Sequence, residues 1–168
     1  MKKSIVREII TDLLIVAAAI AVFFTISKVG CNFVIISGSS MNDTLKDGDA
    51  ALTFYYDVNN IERFDIAVIQ TEGKKRLIKR VIGLPSEEIE YKDNKLYING
   101  EYIEENFLDD STFTNDFKVD LNEDEYYCLG DNREISNDSR SYGPFSKNSI
   151  LNSHIFIIYP FNRIGFHK

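Results

Sequence analysis

The sequence predicts a mainly β fold, an antiparallel-sheet domain of about 140 residues, behind a single N-terminal transmembrane helix. Three observations predict it: an uncharged apolar run near the start, short β-branched and aromatic runs separated by turn formers, and no long helical period after residue 30.

The first element is the run Leu13 to Ile26 (LLIVAAAIAVFFTI), which carries no charge. It is shorter than the ~20 residues a spanning helix needs. Extension toward Ile9, or past Lys28 to Ile36, supplies the length if Asp12 sits at one interface and Lys28 snorkels at the other. A cleaved secretion signal would put small residues in an Ala-x-Ala pattern after the apolar stretch, where Thr25-Ile26-Ser27-Lys28 stands instead. Lipoprotein-type cleavage before Cys31 would need an aliphatic residue at Lys28. The run is therefore expected to be an uncleaved anchor, with a cleaved signal and a buried core helix as the rival readings. Lys2, Lys3 and Arg7 precede it, so the positive-inside rule places the N-terminus in the cytoplasm and the rest outside the cell membrane. Residues 1–29 are thus expected to be tail and anchor, and residues 30–168 an extracytoplasmic domain.

Strands are expected at Asn32 to Ile36, Ala50 to Tyr56, Asp65 to Thr71, Arg76 to Ile82, Lys95 to Ile98, Tyr126 to Leu129 and His154 to Tyr159. Asn99-Gly100, between Lys95–Ile98 and Glu101-Tyr102-Ile103, predicts a hairpin, because a type I′ turn needs positive φ at both central positions. Pro85, Pro144 and Pro160 all fall at run ends. The segment from about 104 to 124 is acidic and rich in Asn, Asp and Thr, and is expected to be a solvated insertion or mobile loop.

Composition narrows the function. The chain has 19 Lys and Arg against 26 Asp and Glu, a net charge of -7, and the acidic excess lies outside the N-terminal tail. It offers no basic face for phosphates, which argues against nucleic acid as a partner. Cys31 and Cys128 have no companion at metal-ligand spacing, and the only histidines are His154 and His167, so no Cys/His metal site is expected. Any enzyme here is expected to use a base other than histidine.

Three clusters could do chemistry. Ser37-Gly38-Ser39-Ser40-Met41-Asn42-Asp43-Thr44-Leu45 follows the first strand, and alone reads as a Ser/Gly turn. Leu77-Ile78-Lys79-Arg80-Val81-Ile82-Gly83-Leu84-Pro85 puts two adjacent cations inside an apolar strand, where alternation sends them to opposite faces and one of them inward. If that is Lys79, burial lowers its pKa and makes a neutral amine available as a base for a serine hydroxyl; an exposed edge-strand lysine is the plainer reading. The third, Gly130 to Gly143, is dense in Asp, Arg, Asn and Ser, and suits either a solvated loop or a buried scaffold of charge-assisted hydrogen bonds.

In this order, behind one apolar span, the clusters resemble the bacterial type I signal peptidases of the Gram-positive kind. The motifs are Ser-Met-x-x-Thr-Leu from Ser40, Lys-Arg-x-x-Gly-Leu-Pro from Lys79, and Gly-Asp-Asn-Arg-x-x-Ser-x-Asp-Ser-Arg-x-x-Gly from Gly130, followed by Tyr159 to Phe166 at the end. The resemblance covers most of the chain apart from the acidic segment. It implies a Ser/Lys endopeptidase that removes signal peptides from secreted preproteins at the outer face of the cytoplasmic membrane, with the secretion machinery nearby and no cofactor or metal. It implies Ser40 as nucleophile and Lys79 as base. It also implies that Ser136 helps hold the amine, that Asp138 and Arg140 support the site, and that Arg80 and Asp131 brace the lysine's strand. Ile36, Ile78 and Met41 would line the subsites for small residues.

Two positions depart from the family pattern. Asp43 stands where proline is common, replacing a residue that fixes φ with one that adds charge. Gly38 stands where some members carry a serine that joins the oxyanion hole, and one missing donor costs ~3 kcal/mol of transition-state stabilisation. Gram-positive-type members also carry glycine there. A membrane-tethered β-module that binds extended peptides without cutting them is the alternative from another functional class. A self-cleaving repressor with similar chemistry would need a DNA-binding helical domain where this chain has its apolar run.

Overall fold

The computed structural model describes residues 10–18, 20–21, 31–54 and 60–167. The chain divides into two compact units, Met1–Asn32 and Phe33–Lys168. In the first unit, residues 10–18 and 20–21 are helical and exposed. No helix among the described residues is long and apolar enough to cross a membrane. The rest of the expected Leu13 to Ile26 span lies outside the described residues, as do Tyr55 and Tyr56 at the end of an expected strand.

The described strands are, in chain order, β1 (Cys31–Ile35), β2 (Ala50–Phe54), β3 (Ile66–Gln70), β4 (Arg76–Gly83), β5 (Glu88–Lys92), β6 (Lys95–Ile98), β7 (Glu101–Ile103), β8 (Phe117–Asp120), β9 (Glu125–Leu129), β10 (Phe145–Ser146), β11 (Ile150–Tyr159) and β12 (Gly165–His167). They form an eight-stranded sheet in the order β1-β2-β11-β3-β4-β9-β10, with β12 also on β11, and a four-stranded sheet in the order β7-β6-β5-β8. The pairings of β2 through β12 are antiparallel, as the sequence predicts.

β4 lies between β3 and β9, and its residues from Lys79 to Gly83 are all buried. A strand covered on both faces loses the polar–apolar alternation of a half-solvated one. Gly83 ends it where the second sheet presses closest: a Cβ there would collide with the Ile89 side chain and come within 2.9 Å of Leu121. That sheet is joined to β4 and β9 by a cluster of Ile82, Ile89, Tyr91, Leu96, Ile98, Leu121, Tyr127 and Leu129. Each such apolar side chain contributes ~1.5–3 kcal/mol on burial.

The expected hairpin forms, with Asn99 at φ 51° and Gly100 at φ 81° joining Ile98 to Glu101 in register. Three expectations are corrected. The acidic segment is no solvated loop: it contains β8, buries Thr114, and packs Phe107, Phe117 and Val119 against the second core. Most of its charges stay exposed while Phe107, Phe117, Val119 and Leu121 pack inward, a pattern that net composition hides. β5 was not expected, because alternation of Glu88, Glu90 and Lys92 with buried Ile89 and Tyr91 reads as polar on average. β11 begins at Ile150 rather than His154, because an irregularity at His154 (φ 66°) shifts its register while pairing with β2 and β3 continues on either side.

Candidate active site

β1 delivers the chain to the turn that carries Ser40. Gly38 adopts φ 92°, a conformation that glycine reaches without a Cβ penalty. The turn is pinned inside by Met41 and Leu45, buried among Ile36, Ala51, Ile66, Ile155 and Ile157. It is pinned outside by hydrogen bonds: Gly38 N–H donates to Asp47 (2.7 Å), Thr44 Oγ1–H donates to Asp131 Oδ2 (2.6 Å), and Arg163 donates to the Thr44 carbonyl (2.7 Å). Asn132 N–H donates to the carbonyl of Ser40 itself (3.1 Å).

Lys79, opposite Ala67 of β3, extends a side chain that is 3% exposed and ends with Nζ 2.7 Å from Ser40 Oγ. Burial is the main influence on the amine and lowers its pKa to about 8, with Lys75 adding to the effect and Asp138 and Asp131 opposing it. A fully charged lysine is thereby replaced by one that is partly neutral at pH 7 to 8.

Arg80 is buried too. Alternation requires one of the two cations to point inward, and here both are buried because this strand has no solvent face; Arg80 is satisfied by a bidentate pair with Asp131 (2.8 and 2.7 Å), by the Phe64 carbonyl and by Thr44 Oγ1. The pair ties the lysine's strand to the loop after β9 and, through Thr44, to the serine's turn.

The Gly130 to Gly143 cluster is the buried scaffold of the two readings. Asp138 is fully buried and caps the short helix Ser139–Tyr142; it accepts from Gly130 N–H (3.0 Å) and from Arg140 Nε and Nη2 (2.9 and 2.8 Å). Burial raises its pKa, and these hydrogen bonds outweigh burial and hold the carboxyl below its ordinary range. Arg140 also donates to the Arg133 carbonyl (2.7 Å). Ser136 does not bond the amine: its hydroxyl is buried without a hydrogen-bond partner. It lies instead against Gly130, where an added Cβ would collide with both Ser136 Oγ and the Ser40 carbonyl oxygen. Only glycine lets the Ser40 backbone and the Ser136 side chain come this close.

Ser40 and Lys79 open onto a cleft of about 560 Å³ lined by Ile36, Met41, Val68, Ile78 and Ile135. A polar hollow of about 350 Å³, lined by Asn42, Asp43, Phe107 and Asn132, contains neither dyad residue. Among the described residues no group of His, Cys, Asp and Glu is arranged to hold a metal ion.

The sequence profile of the signal peptidases, peptidase S26, matches residues 7–159. The chain belongs to that family. Among its relatives, signal peptidase IB of Staphylococcus aureus (strain MRSA252) is 30% identical, with 99% of this chain and 96% of that protein aligned. Signal peptidase I V of Bacillus subtilis (strain 168) is 39% identical over 69% of this chain and 79% of that one. The crystal structure of a signal peptidase I from Enterococcus faecalis V583 superposes with a TM-score of 0.51 at 33% identity, covering 56% of this chain and 96% of that one. That signal peptidase I thus shares this chain's mainly antiparallel β fold.

Sequence reasoning assigned no role to Arg133, Glu105, Tyr91, Thr114 or Arg163. Arg133 lies inside the Gly-Asp-Asn-Arg motif, a visible signal. Glu105 had none, being one carboxylate in an acidic run.

Proposed function

We propose that this chain is a membrane-anchored serine endopeptidase that removes signal peptides from preproteins with a Ser40/Lys79 dyad. The observation that carries the reading is the 2.7 Å contact between Lys79 Nζ and Ser40 Oγ in a site dry enough to bring the amine to about pKa 8. With the amine neutral, the contact reverses, and Ser40 Oγ–H donates to Nζ. Oγ attacks the carbonyl carbon before the cleavage site as its proton passes to Lys79. The oxyanion is met by the Ser40 N–H, since Gly38 has no hydroxyl to offer. Lys79 returns the proton to the departing amine, the mature protein leaves, and an ester to Ser40 remains. Lys79 then takes a proton from the water that attacks the ester and returns it to Ser40 Oγ as the signal peptide leaves.

Ser136, Asp138 and Arg140 support the loop, and Arg80 with Asp131 braces the lysine's strand. Ile36, Ile78 and Met41 narrow the cleft to small side chains, and an extended substrate adds as a strand beside Arg76 to Ile78. The apolar run from Leu13 to Ile26 serves as the anchor, with the N-terminus cytoplasmic and residues 30–168 outside. It holds the catalyst at the bilayer, where cleavage sites emerge from the secretion machinery, and raises the effective concentration of substrate. Incubating the purified full chain with a signal-bearing precursor and reading the new N-terminus by mass spectrometry tests this. Cleavage after a small-x-small pattern supports the reading, and intact precursor at high enzyme concentration favours the non-catalytic peptide-binding module.

A further inference from the structure

The acidic segment reaches the site from behind at two points. Phe107 lies under Arg80, whose guanidinium carbon is 4.0 Å from the ring centroid. Glu105 meets Arg133, whose side chain is 0% exposed: Nη2 donates to Glu105 Oε1 at 2.6 Å. The rest of that guanidinium is also satisfied. Nη1 donates to Tyr91 Oη and Thr114 Oγ1 (both 2.9 Å), and Nε donates to the Gly130 carbonyl (3.0 Å). Tyr91 Oη–H in turn donates to Glu105 (2.8 Å), and burial keeps the phenol protonated. Arg133 is therefore a buried cation gripped on one side by the second sheet and its acidic segment, and gripping on the other the residue whose Cα packs on the Ser40 carbonyl.

We propose that Glu105 is a positioning residue for the Ser40/Lys79 dyad, acting through Arg133 on the Gly130–Asn132 turn. Glu105 touches no reacting atom. It supplies the counter-charge that lets Arg133 stay dry. Without it the guanidinium must move toward water, because an uncompensated buried charge is far costlier than an intact pair. Its bond to Gly130 would go with it. The turn would then relax around Ser40, which it holds both by the close approach of Gly130 and by the hydrogen bond from Asn132 N–H. This makes the acidic segment part of the catalyst's support, and it rests on the reading of Ser40 and Lys79 as nucleophile and base.

The test uses the full chain in detergent micelles, cleaving a signal-bearing precursor, with kcat, KM and the pH profile of kcat/KM measured for wild type, Glu105→Ala, Glu105→Gln and Lys79→Ala. Glu105→Ala should lower kcat by at least about tenfold with KM within about twofold, the signature of lost alignment. It should also move the acid limb upward by about half a pH unit or more, as water reaches the amine. Asp138, Lys75, Asp131 and Cys128 are the charged and titratable groups that act most strongly on Lys79, and deleting a carboxylate would by itself move the limb down, not up. A moved limb therefore reports solvent access and not a deleted neighbouring charge. Glu105→Gln, which keeps an acceptor for Arg133 and Tyr91 but removes the counter-charge, should show both changes in smaller measure than Glu105→Ala. If Glu105→Ala does not accumulate as folded protein, Thr114→Val, which removes one acceptor from Arg133, should show the same two changes in smaller measure. Folded Glu105→Ala with wild-type kcat, or with reduced kcat and an unmoved limb, overturns the proposal while leaving the dyad intact. Full activity in Lys79→Ala overturns the dyad reading instead.

Discussion

Arg80 and Asp131, each almost wholly buried, form a bidentate ion pair that joins the strand of Lys79 to the loop after β9, while Asp131 also accepts from Thr44 in the serine's turn. Three sequence-distant segments meet at this one carboxylate. Removing it leaves a buried guanidinium with no counter-charge, so Asp131→Ala should cost ~3–5 kcal/mol. Urea unfolding of the full chain in micelles checks this, and an unchanged midpoint would mean that the pair does not brace the site.

Lys79 itself should be a stability liability. Its folded pKa, about 8 against an ordinary 10.5, means that the unfolded chain binds the extra proton between those values. Stability therefore rises as pH goes from about 8 to 10.5, and the penalty for burying the charge is fully present below 8. Lys79→Met should raise stability at pH 6 by on the order of 3 kcal/mol, a gain that disappears above pH ~10.5. Thermal melts across pH measure it. A gain that persists at pH ~11 would point to better packing and not to desolvation.

Among the serines of the turn, only Ser40 should be essential. Ser40→Ala should abolish processing, whereas Ser39→Ala should keep most of it. Lys79→Arg should fail like Lys79→Ala, because a guanidinium does not give up its proton inside a protein. Precursor cleavage assays at matched folded concentrations decide these cases, and substantial turnover in the arginine variant would exclude a proton-accepting role for residue 79.

The cleft wall should set the size of the residue accepted before the cut. Shortening Ile78, which lines the cleft beside the dyad, should raise kcat/KM for a precursor with Val at that position by at least about tenfold relative to one with Ala, the range that one or two methylenes command. Unchanged discrimination in Ile78→Ala would move the specificity pocket elsewhere.

Much of this was legible in the sequence where a local rule has one reading. Asn99-Gly100 specified its turn because few other dipeptides tolerate positive φ twice. The three motif clusters located the site, but geometry decided between their readings: Lys79 on Ser40, and Asp138 under Gly130. Rules that average over a segment failed. The acidic run hid β8 and the role of Glu105, because pairing with a distant, buried Arg133 leaves no trace in local composition. Alternation could not tell that both Lys79 and Arg80 would be buried, because β4 has neighbours over both faces and Asp131 supplies a counter-ion for the second cation. Ser136 illustrates a third limit: its place in the motif is clear, yet its hydroxyl makes no bond to the amine.

The most direct test is the pH dependence of kcat/KM for a signal-bearing precursor, which reports the ionisation of the free enzyme's essential base. The account requires an acid limb with its midpoint near the value set for Lys79, about 8, and its loss together with all turnover in Lys79→Ala. A limb near pH ~4, the range of an ordinary carboxylate, would contradict it.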